Sequence, residues 1–335
     1  MTEKPETFEG DGQQKFFHPE PHTQGIEDSR KRQPPRNLAD GMIKALRPKQ
    51  WVKNVLVLAA PAAAGADALF HTRTLLDVAL AFIVFCLGAS SIYLINDARD
   101  VDADRAHPTK RFRPIAAGVL PVNLAYVMSV VLIVAAVGLS FLATSGLQLA
   151  LVIAVYIALQ LGYCFGWKHM PVIDIALVSS GFMLRTMAGG VAAGIELSQW
   201  FLLVAAFGSL FMASGKRYSE ILLAERTGAK IRKSLAGYTP TYLRFVWTLS
   251  ATAVVMSYSL WGFQLANETE GWAAVWYQIS MVPFTIAILR YAADVDRGRG
   301  GAPDEIALED RSLPSLALLW LACIAMAVYI FPLFA

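Results

Sequence analysis

The chain has 335 residues and a formal net charge of +3, with 56% of residues hydrophobic and only 16% charged. Soluble domains carry about 25% charged residues, and mean hydropathy here is +0.46, which excludes an ordinary soluble enzyme. So small a positive charge is not the signature of a nucleic-acid binder.

The apolar residues fall in blocks of about 20, the length that crosses a bilayer as a helix. Residues 1–40 are polar, Pro-rich and mixed in charge, which predicts a disordered cytoplasmic tail. No apolar core with a small-residue cleavage site precedes the first span, so no signal peptide is expected. Residues 41–335 read as one nine-helix transmembrane catalytic domain, an all-α polytopic membrane protein. Its spans lie near 51–68, 74–95, 118–141, 146–165, 172–192, 198–214, 242–266, 272–291 and 313–333. The first is the weakest, because Pro61 and Gly65 shorten or kink it.

Lys and Arg crowd the segment before the first span and every second loop after it, whereas the alternate loops hold little more than Arg73. By the positive-inside rule this predicts a plasma-membrane protein with a cytoplasmic N-terminus and an outward C-terminus. The three cysteines, Cys86, Cys164 and Cys323, all lie in apolar spans and read as packing residues. His107 and His169 stand alone at span ends, without further metal ligands.

The candidate site is organised around Ser90–Gly118, where an apolar segment turns into carboxylates and then bases. On a helix at 100° per residue with Asn96 at zero, Asp97, Asp100 and Asp104 fall near about 100°, 40° and 80°. Four oxygen-bearing side chains therefore share a face, with Asp102 on the far side. Hard oxygens at that spacing suit Mg²⁺, which takes carboxylates, water and substrate phosphates. Lys110, Arg111 and Arg113 follow at once, and bases are what a polyphosphate needs. Further polar residues gather at the same side. Lys49 and Lys53 flank Trp51, either as snorkelling anchors or as phosphate ligands. Tyr93 lies one turn before Asn96, either at the lipid interface or adding a hydroxyl to the site. Lys168 and Asp174 bracket Pro171 at the start of the fifth span. Arg185 is on the face of Asp174, roughly 16 Å deeper. Facing lipid, it would cost at least about 2.5–3.5 kcal/mol, so it meets a hydrated cavity or an anion, or pairs with Asp174 or Glu196. Lys216, Arg217 and Glu220 again share one helical face after the sixth span. The loop at 215–241 is expected to hold a short amphipathic surface helix.

Asn96-Asp97-x-x-Asp100-x-x-x-Asp104 at the cytoplasmic end of the second of nine spans resembles the first aspartate-rich motif of the UbiA superfamily of intramembrane prenyltransferases, across about residues 42–335. The resemblance implies nine helices around a central cavity opening to lipid, with Asn96, Asp100 and Asp104 holding Mg²⁺ on a diphosphate. One departure stands out. Where members of the superfamily carry a second aspartate-rich motif, this chain has Lys216, Arg217, Tyr218 and Glu220. With the RPKQWVKN and GKRYSE segments, that basic cradle resembles the phosphoribosyltransferase branch acting on decaprenyl phosphate. The branch uses phosphoribosyl pyrophosphate as donor and a polyprenyl phosphate as acceptor, for cell-wall arabinan.

That resemblance implies substitution at the ribose anomeric carbon, with Asp97, Asp100 and Asp104 as the catalytic carboxylates. Lys110, Arg113 and Lys53 are expected on the pyrophosphate, and Lys216 and Arg217 on the 5-phosphate. Lys168 or Arg185 is expected on the lipid phosphate. Lys49, Tyr93 and Asp174 complete the expected substrate contacts, and a homo-oligomer stays open. Two rivals remain: an aromatic or quinone prenyltransferase using a prenyl diphosphate, and a carrier for an anionic lipid or metabolite. A carrier places polar residues at mid-membrane with two access routes, whereas here the charges crowd one face and Arg185 is the deep exception.

Overall fold

In the computed structural model, the described residues are 33–227, 235–298 and 311–331. The expected tail at 1–40 falls almost wholly outside them. The described chain is helical and contains no strand. A short helix α1 (Leu38–Ala45) is capped by the Asn37 side chain, which accepts from the Asp40 amide. A 3₁₀ segment follows (Pro48–Leu58), then two short helices, α2 (Ala59–Ala63) and α3 (Ala66–Phe70). The long elements are α4 (Thr72–Arg99), α6 (Val122–Ser140), α7 (Gly146–Cys164), α8 (Ile173–Ala192), α9 (Gln199–Thr227), α10 (Pro240–Glu268), α11 (Trp272–Asp296) and α12 (Ser312–Ala325). Between them lie the five-residue α5 (Val101–Arg105) and two 3₁₀ turns, Lys110–Phe112 and Trp167–His169.

Among the described residues, seven helical stretches are long and apolar enough to cross a membrane: α4, α6, α7, α8, α10, α11, and α12 with its continuation to Ile330. The other two expected spans take different forms. The sixth, placed at 198–214, belongs to α9, whose 29 residues run on to Thr227 as one helix. The expected surface helix in the loop after it is therefore, as far as Thr227, a continuation of the same rod; residues 228–234 are not described. The first span is not one α-helix. A 3₁₀ segment that begins at Pro48 takes in the first eight residues of the expected span, and Pro61 lies inside the short α2 that follows.

That winding decides which side chains turn inward. In a 3₁₀-helix residues i and i+3 eclipse, and Trp51, Asn54, Val57 and Ala60 make the inward row. Asn54, Val57 and Ala60 are fully buried, while Val52, Lys53, Val55, Leu56 and Leu58 are exposed. The row lies on α8 where that helix carries two glycines. A Cβ on Gly189 would stand 1.9 Å from the Val57 carbonyl oxygen, and one on Gly190 would stand 2.8 Å from the Ala60 Cβ. Without side chains there, backbone meets backbone.

Helix α8 also joins the two halves of the apolar core. Its Ala188 and Ala192 belong to a cluster around Phe85, Ile153 and Tyr156. Its Ile175 belongs to a second cluster around Phe211, Trp247, Tyr291 and Val295. Valines 127, 130, 131 and 134 on α6 point outward, the face expected against lipid tails.

Gly189→Ala is expected to lower stability by about 1–3 kcal/mol through overpacking, read as a fall in the melting temperature of the detergent-purified protein. Wild-type melting would mean that the 3₁₀ segment is not seated on α8.

Candidate active site

The helix bearing the aspartates stops where the site begins. Asp100 caps α4 with φ −91° and ψ 13°, and α5 restarts one residue later. The uniform helical angles of the sequence reading therefore end at Asp100, and the carboxylates separate into two groups. Asp97 and Asp104 turn to one arginine. Arg113 Nη1 donates to Asp97 Oδ1 at 3.0 Å and to Asp104 Oδ2 at 2.7 Å. Arg47 Nη2 donates to both Asp97 oxygens, at 2.6 and 2.7 Å. Asp100 faces the other way, where Lys168 Nζ donates to both of its oxygens at 3.1 Å. Asp102 points outward, as expected, and pairs with Arg105 at 3.4 Å.

Three carboxylates thus meet three cations. Asp97 and Asp104 are both buried, and buried carboxylates require such partners, because an isolated buried charge is too costly to keep. In the sequence Arg47 is one more positive charge before the first span, and nothing there marks it as a site residue. It holds a left-handed backbone (φ 55°) at the start of the 3₁₀ segment, with its guanidinium 4.7 Å from the Tyr93 ring centroid. Nothing in the residue type announces that conformation, which costs a non-glycine residue of order 1–3 kcal/mol. Tyr93 thus stands beside the carboxylates, and Asn96 lies near Cys164, Oδ1 to Sγ 3.8 Å. Lys110 is half-buried in the turn after α5. Lys49, Lys53 and Lys216 have exposed side chains around the same end of the bundle.

A second polar cluster sits where α8 begins. Asp174 is completely buried; Arg217 Nη2 on α9 stands 3.4 Å from its Oδ2, and Arg217 Nη1 stands 3.8 Å from Glu220. Asp174 Oδ1 accepts a short hydrogen bond from the Tyr238 hydroxyl, which itself accepts from the Val172 amide at 2.5 Å. Val172 holds φ 70°, a genuine outlier for a β-branched residue. Burial, with the Asp174 carboxylate beside it, pushes the Tyr238 phenol far above its ordinary range, so it remains a donor. Nor does the sequence mark Tyr238. Its surroundings, GYTP, read as the turn before α10, where Thr239 caps the helix and Pro240 opens it.

Arg185 is met neither by Asp174 nor by Glu196. Its Nε donates to Asn54 at 2.7 Å, its Nη1 to the Gly181 carbonyl at 2.6 Å, and its Nη2 to the Tyr156 hydroxyl at 2.8 Å. The rings of Tyr156, Phe85 and Phe182 surround it at 4.8–5.9 Å. All three guanidinium nitrogens are bonded to neutral groups. Asn54 continues the chain by donating to Cys86 Sγ at 3.2 Å, so Arg185 ties the 3₁₀ segment, α4, α7 and α8 together.

The donor set fits a substrate-completed Mg²⁺ site. Among the described residues no three acidic, His or Cys side chains form a ready metal cage. Mg²⁺ is ordinarily held by one or two carboxylates plus substrate phosphates and water. Asp100 is about one-third exposed, and both its oxygens already face a cation.

The UbiA prenyltransferase family model matches residues 54–308. The chain belongs to the UbiA prenyltransferase family. A decaprenyl-phosphate phosphoribosyltransferase from Corynebacterium glutamicum is 78% identical over 321 residues, covering 96% of each chain. One of the same name from Mycobacterium tuberculosis is 60% identical over 298 residues, covering 88% of this chain and 97% of its own. A UbiA homologue from Archaeoglobus fulgidus bound to GPP and Mg²⁺ superposes with a TM-score of 0.61 at 15% identity. It covers 87% of this chain and 99% of that one, and so fixes the UbiA fold.

Arg113→Ala is expected to destabilise the protein by on the order of 3 kcal/mol, because buried Asp104 loses its partner. Adding Asp104→Asn should restore much of the melting temperature by removing the orphaned charge. Additive losses would show that the two side chains do not form one unit.

Proposed function

We propose that this membrane enzyme transfers the 5-phosphoribosyl group from phosphoribosyl pyrophosphate to a polyprenyl phosphate, releasing pyrophosphate. The observation that carries this reading is the near-full-length likeness to decaprenyl-phosphate phosphoribosyltransferases; decaprenyl phosphate is accordingly the expected acceptor, and cell-wall arabinan the destination. The site chemistry agrees. A sugar carrying two phosphate groups, meeting a lipid phosphate, needs more cations than a prenyl diphosphate does, and this end of the bundle offers Arg47, Arg113, Lys110, Lys168, Lys216 and Arg217. Lys49 and Lys53 extend that supply toward the first span.

In the reaction the bond between the ribose anomeric carbon and the pyrophosphate oxygen breaks, and a bond to an acceptor phosphate oxygen forms. The acceptor oxygen is already anionic, so no strong general base is required. Charge builds on the leaving pyrophosphate while the sugar becomes oxocarbenium-like, as in glycosyl transfer generally. Mg²⁺ held by Asp100 with Asn96 would supply charge neutralisation at the leaving group; Asp104, expected to share it, is buried against Arg113 on the other side. Lys168, expected on the lipid phosphate, pairs with Asp100 and is here assigned to the pyrophosphate oxygens instead. Arg113 and Arg47 hold Asp97 and Asp104 in position, and Lys110 lies on the turn that carries Arg113. Lys216 and Arg217 are assigned to the 5-phosphate. Holding two anions on one preorganised cationic platform supplies much of the rate. Arg185, satisfied by neutral groups, is assigned to scaffold support instead of the lipid phosphate. Orientation with this face in the cytoplasm follows the lysine and arginine bias.

The test uses purified protein, radiolabelled phosphoribosyl pyrophosphate and a polyprenyl phosphate, with and without Mg²⁺. Label should enter the organic phase only with the metal. Label remaining aqueous while an allylic diphosphate is consumed would overturn the assignment. Asp100→Ala should abolish turnover with only a small fall in melting temperature, because its carboxylate is partly exposed and the part-buried lysine it leaves keeps some contact with solvent. Near-wild-type activity would remove Asp100 from the site.

A further inference from the structure

The segment joining α7 to α8 carries Lys168, and it is fastened at both ends. At the near end Gly162 on α7 receives the Trp167 indole so closely that a Cβ would stand 2.3 Å from Trp167 Cε3. At the far end Gly237 admits the Pro171 ring, where a Cβ would stand 2.5 Å from Pro171 Cγ. Beside that contact the Tyr238 hydroxyl bridges the Val172 amide and Asp174 Oδ1. Between the fastenings there is little slack. His169 donates to the Gly166 carbonyl and Met170 to that of Trp167, both at 3.0 Å, and Asp174 donates to Met170 at 3.1 Å. Val172 stands just before α8 with φ 70° and ψ −49°, a backbone unfavourable for a β-branched residue unless the surroundings hold it. What holds it is a side chain from a different part of the sequence.

We infer that Tyr238 is a positioning residue for catalysis: by gripping Val172 and Asp174 it fixes where Lys168 stands against Asp100 and the donor pyrophosphate. The inference rests on the proposed phosphoribosyl transfer and deepens it, because it couples the loop before α10 to the aspartate-bearing end of α4. Tyr238 itself touches no reacting atom. Its hydroxyl serves as both acceptor and donor, and phenylalanine provides neither while keeping the ring that stacks on Tyr242 with centroids 6.0 Å apart.

A double-mutant cycle tests this with Tyr238→Phe, Lys168→Ala and the pair, measuring KM for phosphoribosyl pyrophosphate, kcat and the melting temperature. Tyr238→Phe should raise KM for the donor about tenfold, a typical size for coupled neighbours. Added to Lys168→Ala, it should change KM no further. Gly237→Ala, which pushes the loop off Pro171, should behave as Tyr238→Phe does. A Tyr238→Phe effect of equal size in both backgrounds, or no effect at all, would overturn the inference. A variant that no longer folds would overturn it too, since the hydroxyl would then be holding the bundle rather than the lysine. If Lys168→Ala alone leaves KM and kcat unchanged, the fault lies in the proposed site and not in the coupling.

Discussion

Burying a carboxylate at a membrane boundary demands a cation beside it, and that demand shapes this end of the bundle. Asp97 and Asp104 are hidden from solvent, so Arg113 is drawn between them and Arg47 closes over Asp97. Asp100, more open, is left to Lys168. The break in the helix at Asp100 makes this partition possible, because a continuous helix would have kept the four oxygens on one face. The cations are held in place by the carboxylates before any phosphate arrives. In the proposed reaction the pyrophosphate would meet cations already ordered by their carboxylates and would not have to order loose lysine and arginine side chains, whose rotamer freedom is expensive to lose.

The deeper arginine follows a different logic. Arg185 lies among aromatic rings and neutral acceptors, with a carbonyl, an amide and a phenol each taking one of its nitrogens. Charge-assisted hydrogen bonds of this kind are stronger than neutral ones. They are directed at the elements the arginine holds together: the 3₁₀ segment, α7 and α8. The depth that suggested a buried anion is explained by hydrogen bonds alone.

Much of this was legible in the amino-acid order, and the remainder was hidden for identifiable reasons. The helical class, most of the span positions and the gathering of Asn96, Asp97, Asp100 and Asp104 at a span end follow from apolar run length and local spacing. Those are short-range properties. Arg47 and Tyr238 could not be found that way, because each acts across a large sequence separation. Arg47 reaches Asp97 fifty residues on, and Tyr238 reaches Asp174 sixty-four residues back. Each partnership also depends on a positive φ at a non-glycine residue, Arg47 itself in one case and Val172 in the other. Residue type gives no warning of that. The 3₁₀ winding of the first span was equally hidden, for its apolar content suits an α-helix and only the docking on Gly189 and Gly190 selects the tighter form. Pro61, read as a kink, marks the place where the tight winding has already given way to an α turn.

The 3₁₀ segment has a consequence for how this part of the chain can evolve. At about 2.0 Å per residue its eleven residues reach roughly 22 Å, where an α-helix of the same length would reach only about 16 Å. Every third side chain lies in a single straight row, so inserting or deleting one residue turns all that follows by about 120°. Such a change between Trp51 and Val57 would carry the buried asparagine toward lipid and bring a leucine or lysine against the glycine pair. Substitutions on the outward face are absorbed by the bilayer. The length of this segment tolerates no drift.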